Sequence, residues 1–270
     1  MSEQLLQNPS LWVERLARFG YASKGIVYGI VGLLAAQAAF GAGGKITDTQ
    51  GALETIITQP LGEFLLGIVA VGLLGYVLWR YVQAIKDPEN KGTDTKGILQ
   101  RIGYGINGII YAGLAFSAIQ LVTGTGGGNN NSTQDWTARL LSQPFGQWLV
   151  GTVGAFVIGL GFYQFYETFA ANFRKRLNLT GLSHTEEKWV MAISRFGLAA
   201  RGIVFCVIGF FLIQAARNNQ PGEARSLGEA LQALAQQPYG SLILGIVALG
   251  LVAYGIYMLI QARYSRIATH

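Results

Sequence analysis

The feature that most constrains this chain is a segment used three times. Arg-Phe-Gly-Tyr-Ala-Ser-Lys-Gly-Ile-Val-Tyr, from Arg18 to Tyr28, returns as Arg-Ile-Gly-Tyr-Gly-Ile-Asn-Gly-Ile-Ile-Tyr from Arg101 to Tyr111. It returns again as Arg-Phe-Gly-Leu-Ala-Ala-Arg-Gly-Ile-Val-Phe from Arg195 to Phe205. Each copy reaches a glutamine nineteen residues after its arginine, at Gln37, Gln120 and Gln214. A Gln-Pro-x-Gly signature follows, beginning at Gln59, Gln143 and Gln237, then a glycine (Gly67, Gly151, Gly245) and an aromatic (Trp79, Tyr163, Tyr257). Such self-similarity marks one structural unit used repeatedly. The units run over 15–90, 98–178 and 190–266 within a single domain, 1–270.

Each unit holds two apolar runs, at roughly 22–40 and 62–82, 104–122 and 146–166, 198–215 and 240–261. A bilayer core of about 30 Å needs about 20 apolar residues per helix, so each run is a candidate span. Only 13% of the chain is charged, where a soluble protein carries about 25%. The sequence therefore predicts an all-α polytopic membrane protein with six transmembrane helices in three tandem two-helix repeats. Two spans per unit make all three units cross in the same sense. That predicts parallel repeats in a pseudo-threefold arrangement about the membrane normal, not an inverted repeat; three units in a row is the alternative.

Orientation follows from the basic residues. Arg15, Arg18, Lys24, Arg80, Lys86, Lys91, Lys96, Arg101, Arg174, Lys175, Arg176, Lys188, Arg195, Arg201, Arg263 and Arg266 fall on one side. Only Lys45, Arg139, Arg217 and Arg225 fall on the other. The positive-inside rule places both termini in the cytoplasm. Because these charges sit at span ends, the net charge of +6 is explained by the membrane and does not point to nucleic acid. The first residues, MSEQLLQNPSLWVERLARFG, are polar and charged before any apolar run, which does not read as a cleavable signal peptide.

Within a unit the spacing has physical reasons. Arg18 and Gln37 lie about 28 Å apart on a helix at 1.5 Å per residue and bracket the hydrocarbon layer. Arg18, Gly25 and Gly32 are seven apart and share a face, as do Arg101, Gly108 and Ala115, and Arg195, Gly202 and Gly209. Small residues on one face let a neighbouring helix approach closely. Before each Gln-Pro-x-Gly lies a short segment with an apolar face: Ala52, Ile56, Ile57; Trp136, Leu140, Leu141; Ala230, Leu234, Ala235. It reads as a surface helix lying in the outer membrane interface and ended before the proline. Gly124–Gln134 reads as a polar linker.

Intramembrane polar groups are the default functional candidates in a bilayer. Here they are Lys24, Asn107 and Arg201, with the glutamines Gln37, Gln120, Gln214, Gln59, Gln143 and Gln237. Lys24, Asn107 and Arg201 each precede an aromatic by four residues (Tyr28, Tyr111, Phe205). A cation so placed is expected to snorkel over the ring toward the headgroups. Lys24 and Gln37 fall about 140° apart on a straight helix, so both cannot line one pore axis.

Catalytic patterns are scarce. His184, His270 and Cys206 make no plausible metal set, and no nucleotide loop, nucleophile elbow or zinc-protease helix occurs. Gly103, Gly105 and Gly108 imitate a dinucleotide fingerprint, but without the strand that must precede it. No enzyme activity and no cofactor are expected. The Arg174–Arg176 cluster serves as a topology signal or binds anionic lipid.

Three Arg-x-Gly-x-x-x-(Lys/Asn/Arg)-Gly segments, each paired with Gln-Pro-x-Gly, resemble the bacterial membrane family known as domain of unknown function number 1206, over roughly 15–265. The resemblance implies six spans, three repeats and a bacterial inner (plasma) membrane location, and it implies no activity. Asn107 departs from the charged pattern of Lys24 and Arg201. Two expectations follow: a non-enzymatic scaffold or accessory protein using the bilayer, anionic lipid or a membrane protein as partner, or a small transporter or channel along the pseudo-threefold axis. What fills that axis separates them.

Overall fold

The computed structural model describes residues 9–88, 92–125, 132–171, 173–174 and 177–265. Lys91, Lys175, Arg176, Arg266, His270 and the middle of the Gly124–Gln134 linker lie outside the described residues. Every unit is built alike, as a long helix, a short helix and a second long helix. Unit one holds α1 (Pro9–Ala39), α2 (Thr49–Ile57) and α3 (Gly62–Lys86). Unit two holds α4 (Thr95–Val122), α5 (Ser132–Leu141) and α6 (Gly146–Ala170). Unit three holds α7 (His184–Asn218), α8 (Leu227–Ala235) and α9 (Gly240–Tyr264). Among the described residues six helices are long and apolar enough to cross a membrane. No strand occurs there, only an isolated bridge between Leu177 and Ser265.

Helices α1, α4 and α7 start well before the apolar runs that predict them. Hydropathy marks only the part of a helix in hydrocarbon, whereas the helix runs on into the polar layer. α7 begins at a capping box, with Ser183 and Glu186 exchanging side chain–backbone bonds, which satisfies orphan amides of the first turn. Asp94 caps α4 through the Gly97 amide at 3.1 Å.

The second long helix of each unit packs on the first long helix of the next: α3 on α4, α6 on α7, and α9 back on α1. Within units, α1 packs on α3 and α7 on α9. Helices α4 and α6 do not pack on one another to any extent among the described residues, so the circuit of neighbours is open there. Consequently α1, α3 and α9 form the centre, with 61%, 56% and 61% of their most apolar stretch buried, against 22% in α4 and in α6.

Glycine decides which contacts are close. A Cβ on Gly25 would meet the Gly255 carbonyl at 2.8 Å, and one on Gly32 the Val252 amide at 2.6 Å. One on Gly202 or Gly209 would meet the Gly161 or Gly154 carbonyl, at 3.0 and 2.6 Å. Gly108 is the exception: its Cβ would lie 3.5 Å from that of Arg80, an ordinary contact. The α3 position matching Gly161 and Gly255 is Val77, and the atoms nearest a Gly108 Cβ belong to Arg80 and Tyr81.

The open edge also has a cause in side-chain size. Gly72 lies against Ser23, and Gly250 against Ala200. The equivalent pair in unit two is Phe156 and Ile106, both large, and they face outward instead, 37% and 40% exposed.

The connections repeat as well. Leu61, Phe145 and Tyr239, the x of each Gln-Pro-x-Gly, take left-handed backbone (φ 61°, 65°, 60°) with their side chains exposed. The glycine after each is obligatory, because a Cβ on Gly62, Gly146 or Gly240 would fall 2.2, 2.2 or 1.9 Å from a carbonyl of the preceding short helix. The short helices form where expected, and their apolar faces lie against protein. Ala52, Ile56 and Ala230 are buried on the bundle, and the helices join one another, with Gln134 bonding Glu229 at 3.0 Å and Gly228 abutting the Asp48 amide. Together they cap one end; Trp136 alone of the three leading apolar positions stays exposed.

Backbone contact at the R-x-G glycine provides a direct check. A Cβ on Gly20 or Gly197 would lie 2.4 Å from the Tyr76 or Tyr254 amide, while Gly103 has nothing within 4 Å. Gly20→Ala and Gly197→Ala should each cost about 1–3 kcal/mol, read as a lower melting temperature in detergent. Gly103→Ala should leave it unchanged; equal losses at all three sites would contradict the open edge.

Candidate functional site

Two of the three repeated arginines, Arg18 and Arg101, link units at the basic end. Arg18 of α1 donates from Nη1 to the Ala262 carbonyl at 3.0 Å and to that of Arg263, at the end of α9. Arg101 of α4 donates from Nε to Ala84 and from Nη2 to Ile85, both 2.9 Å, at the end of α3. The last turn of a helix has carbonyls without intrahelical partners and carries partial negative charge. Each arginine therefore caps the preceding unit.

One and a half turns further in, Lys24, Asn107 and Arg201 come together around tyrosines. Lys24 does not snorkel as its spacing to Tyr28 predicts. It is 1% exposed, turned inward, with Nζ 4.5 Å from the centre of the Tyr111 ring, 4.7 Å from Tyr76, 5.8 Å from Tyr254 and 5.9 Å from Tyr28. Nζ donates to the Tyr76 hydroxyl at 2.9 Å, and that hydroxyl donates to Asn107 Oδ1 at 3.0 Å. Arg201, also buried, stacks on Phe205, Tyr254 and Tyr28 at 4.5, 4.8 and 5.8 Å. Its Nε has no hydrogen-bond partner. The repeat-equivalent positions thus occupy one cluster, joined through rings from α1, α3, α4 and α9.

The sequence does not single out Arg80, which it places in the cytoplasmic connection. In the structure both Nε and Nη2 of Arg80 point at the Tyr76 hydroxyl, at 2.8 and 2.6 Å, and Nη1 bonds Gln83 Oε1 at 2.7 Å. The phenol oxygen, with two lone pairs, is offered three N–H groups. Lys24 and Arg80 therefore lie within about 6 Å of each other, a repulsion of order 3 kcal/mol at an effective dielectric of about 20. Among the described residues no carboxylate pairs with Lys24, Arg80 or Arg201. Cation–π contact offsets part of this, at about 2 kcal/mol for a desolvated pair. A signal for these groups does exist: Tyr76 and Tyr254 match between units, and unit two breaks the match with Leu160, with Gln164 at the Arg80 position.

The glutamines do not join this cluster. Gln37, Gln59, Gln143 and Gln237 are exposed, and Gln120 and Gln214 half-buried. Gln59 and Gln237 turn back on their own short helices, with Nε2 donating to Thr55 and Ala233 carbonyls at 3.5 and 3.3 Å. Two clefts are shallow and peripheral. One, of about 270 Å³, is an apolar groove between α1 and α3 bounded by Val13, Leu16, Leu78 and Val82; the other, of about 240 Å³, lies beside α2 near Lys45 and Glu54.

Removing the shared hydroxyl isolates its contribution. Tyr76→Phe should cost about 2 kcal/mol, because Asn107 loses its donor and the buried Lys24 and half-buried Arg80 lose their acceptor. Tyr254→Phe, whose hydroxyl makes no hydrogen bond among the described residues, should cost less than half as much. Detergent melting curves of the two variants decide the matter; equal losses would reduce the cluster to ring packing.

Comparison with known proteins matches the repeat described above. The family profile described as Domain of Unknown Function (DUF1206) matches residues 19–87, 102–171 and 196–265, one match per unit. The chain is 39% identical over 261 residues to "Uncharacterized protein YxxB" of Bacillus subtilis (strain 168), covering 97% of this chain and 94% of that protein. No solved structure matches. Three tandem matches covering most of the chain show that this protein, with six helices long and apolar enough to cross a membrane, belongs to the DUF1206 family.

Proposed function

We propose that this protein is a non-enzymatic membrane scaffold of the bacterial inner membrane, with the basic end of the bundle and both termini in the cytoplasm. The observation that carries this reading is the plug at its centre. The four tyrosines around Lys24 are at most 7% exposed, and their rings pack edge to face, Tyr76 on Tyr111 at 4.8 Å and Tyr28 on Tyr254 at 4.9 Å. A conduction path needs a continuous polar lining, and the outer glutamines lie apart from the cluster. Glycine contacts and arginine caps make the bundle rigid. Its docking surfaces are the cap formed by α2, α5 and α8, where Trp136 stands exposed, and the basic end around Arg174, which faces anionic lipid.

The open edge between α4 and α6 supports a second reading, a transporter whose path enters from that side. Purified protein in liposomes separates the two. The scaffold predicts cation, chloride and phosphate flux equal to that of protein-free vesicles. Flux above that level and lost in Lys24→Met would overturn it. For orientation, a fluorescent reporter that folds only in the cytoplasm should light up when fused after His270. It should stay dark when inserted in the α4–α5 connection.

A further inference from the structure

We propose that Lys24, Arg80 and Arg201 form a binding site for a phosphate-type oxyanion, a step beyond the scaffold reading and independent of it. Three cations converge in the interior of a membrane bundle with no carboxylate paired to them among the described residues. Buried charges are ordinarily paired, and inside a bilayer they mark ligand positions.

The donor geometry narrows the chemistry. The Nε/Nη2 edge of a guanidinium is a fork matched to two oxygens of one oxyanion. In Arg80 both tines converge on the single Tyr76 oxygen, which Lys24 also occupies. Arg201 Nε, buried and unpartnered, supplies a further donor with nothing to bond. An oxyanion has the acceptors this set lacks: it takes the Arg80 fork on two oxygens and the Lys24 ammonium and Arg201 Nε on the others. The Tyr76 hydroxyl then keeps a single role, as donor to Asn107. Neutralising these cations also removes the repulsion between Lys24 and Arg80.

The fold offers two sources for such a group. A phospholipid headgroup reaches the interior sideways, where Ile106 and Phe156 keep α4 and α6 apart. Free phosphate arrives from the basic end past the half-buried Arg80 and Asn107.

The full-length protein, stripped of lipid and held in a maltoside detergent that carries no phosphate, is melted with and without inorganic phosphate. It is melted again after phosphatidylglycerol is added to the detergent. Saturating ligand should raise the melting temperature by about 5 °C. A rise with phosphatidylglycerol alone assigns a lipid headgroup; a rise with inorganic phosphate in the lipid-free detergent assigns the free anion. Arg201→Gln should abolish the rise. Arg201 makes no hydrogen bond among the described residues, so this variant should still fold, its unliganded melting temperature lowered only by the lost contacts with Phe205, Tyr254 and Tyr28, and the rise is read against that baseline. Lys24→Met serves as a second variant with the same expected loss. No rise in the parent under either condition, or a rise unchanged in both variants, would overturn the proposal.

Discussion

Between helices in lipid there is no hydrophobic force to draw surfaces together, since acyl chains are as apolar as leucine. Association must come from close backbone approach and from polar contacts the lipid cannot make. Both occur here at one kind of boundary, between the end of one unit and the start of the next. Gly25 and Gly32 meet α9, Gly202 and Gly209 meet α6, and Arg18 and Arg101 close the ends of α9 and α3. Each repeat is therefore completed by its neighbour.

Unit two and its junction with unit one relax this rule in three places, and the departures belong together. Val77 stands where α6 and α9 carry glycine, Phe156 and Ile106 replace small residues, and Asn107 stands where the other units carry a cation. The first two loosen α4 and part it from α6. The third provides an acceptor that Lys24 and Arg201 cannot provide, and it receives the Tyr76 proton that orients the central hydroxyl. A bundle of three identical units would place three cations at one level with no such acceptor. The asymmetry is local, and the repeated glycines and arginines elsewhere leave the frame intact.

Much of this is legible in the chain. The repeat, the apolar runs and the Gly25, Gly32, Gly202 and Gly209 stripe follow from spacing on a single helix. What spacing cannot reveal is direction toward another helix. Lys24 has the same offset to Tyr28 whether it reaches for the headgroups or the interior; the Tyr76 hydroxyl, on α3, decides it. Arg80 belongs by position to a cytoplasmic connection and by contact to the same hydroxyl. An amphipathic segment shows an apolar face without saying whether lipid or protein covers it, so Ala52 and Ile56 resemble a membrane anchor and are buried in the protein. Alignment of the second helices with one another, Gly72 with Phe156 and Gly250, carries the sign of the open edge.

The left-handed residues of the three Gln-Pro-x-Gly connections have a consequence for the bilayer itself. Leu61, Phe145 and Tyr239 are large, apolar or amphipathic, and exposed. Each stands where a short helix on the cap hands over to a span. There is one such point in each unit. A single anchored helix is free to tilt about its anchor, whereas several anchors held by one body oppose its tilt together. The repeat thus bears not only on how the helices meet but on how the whole body stands in a membrane.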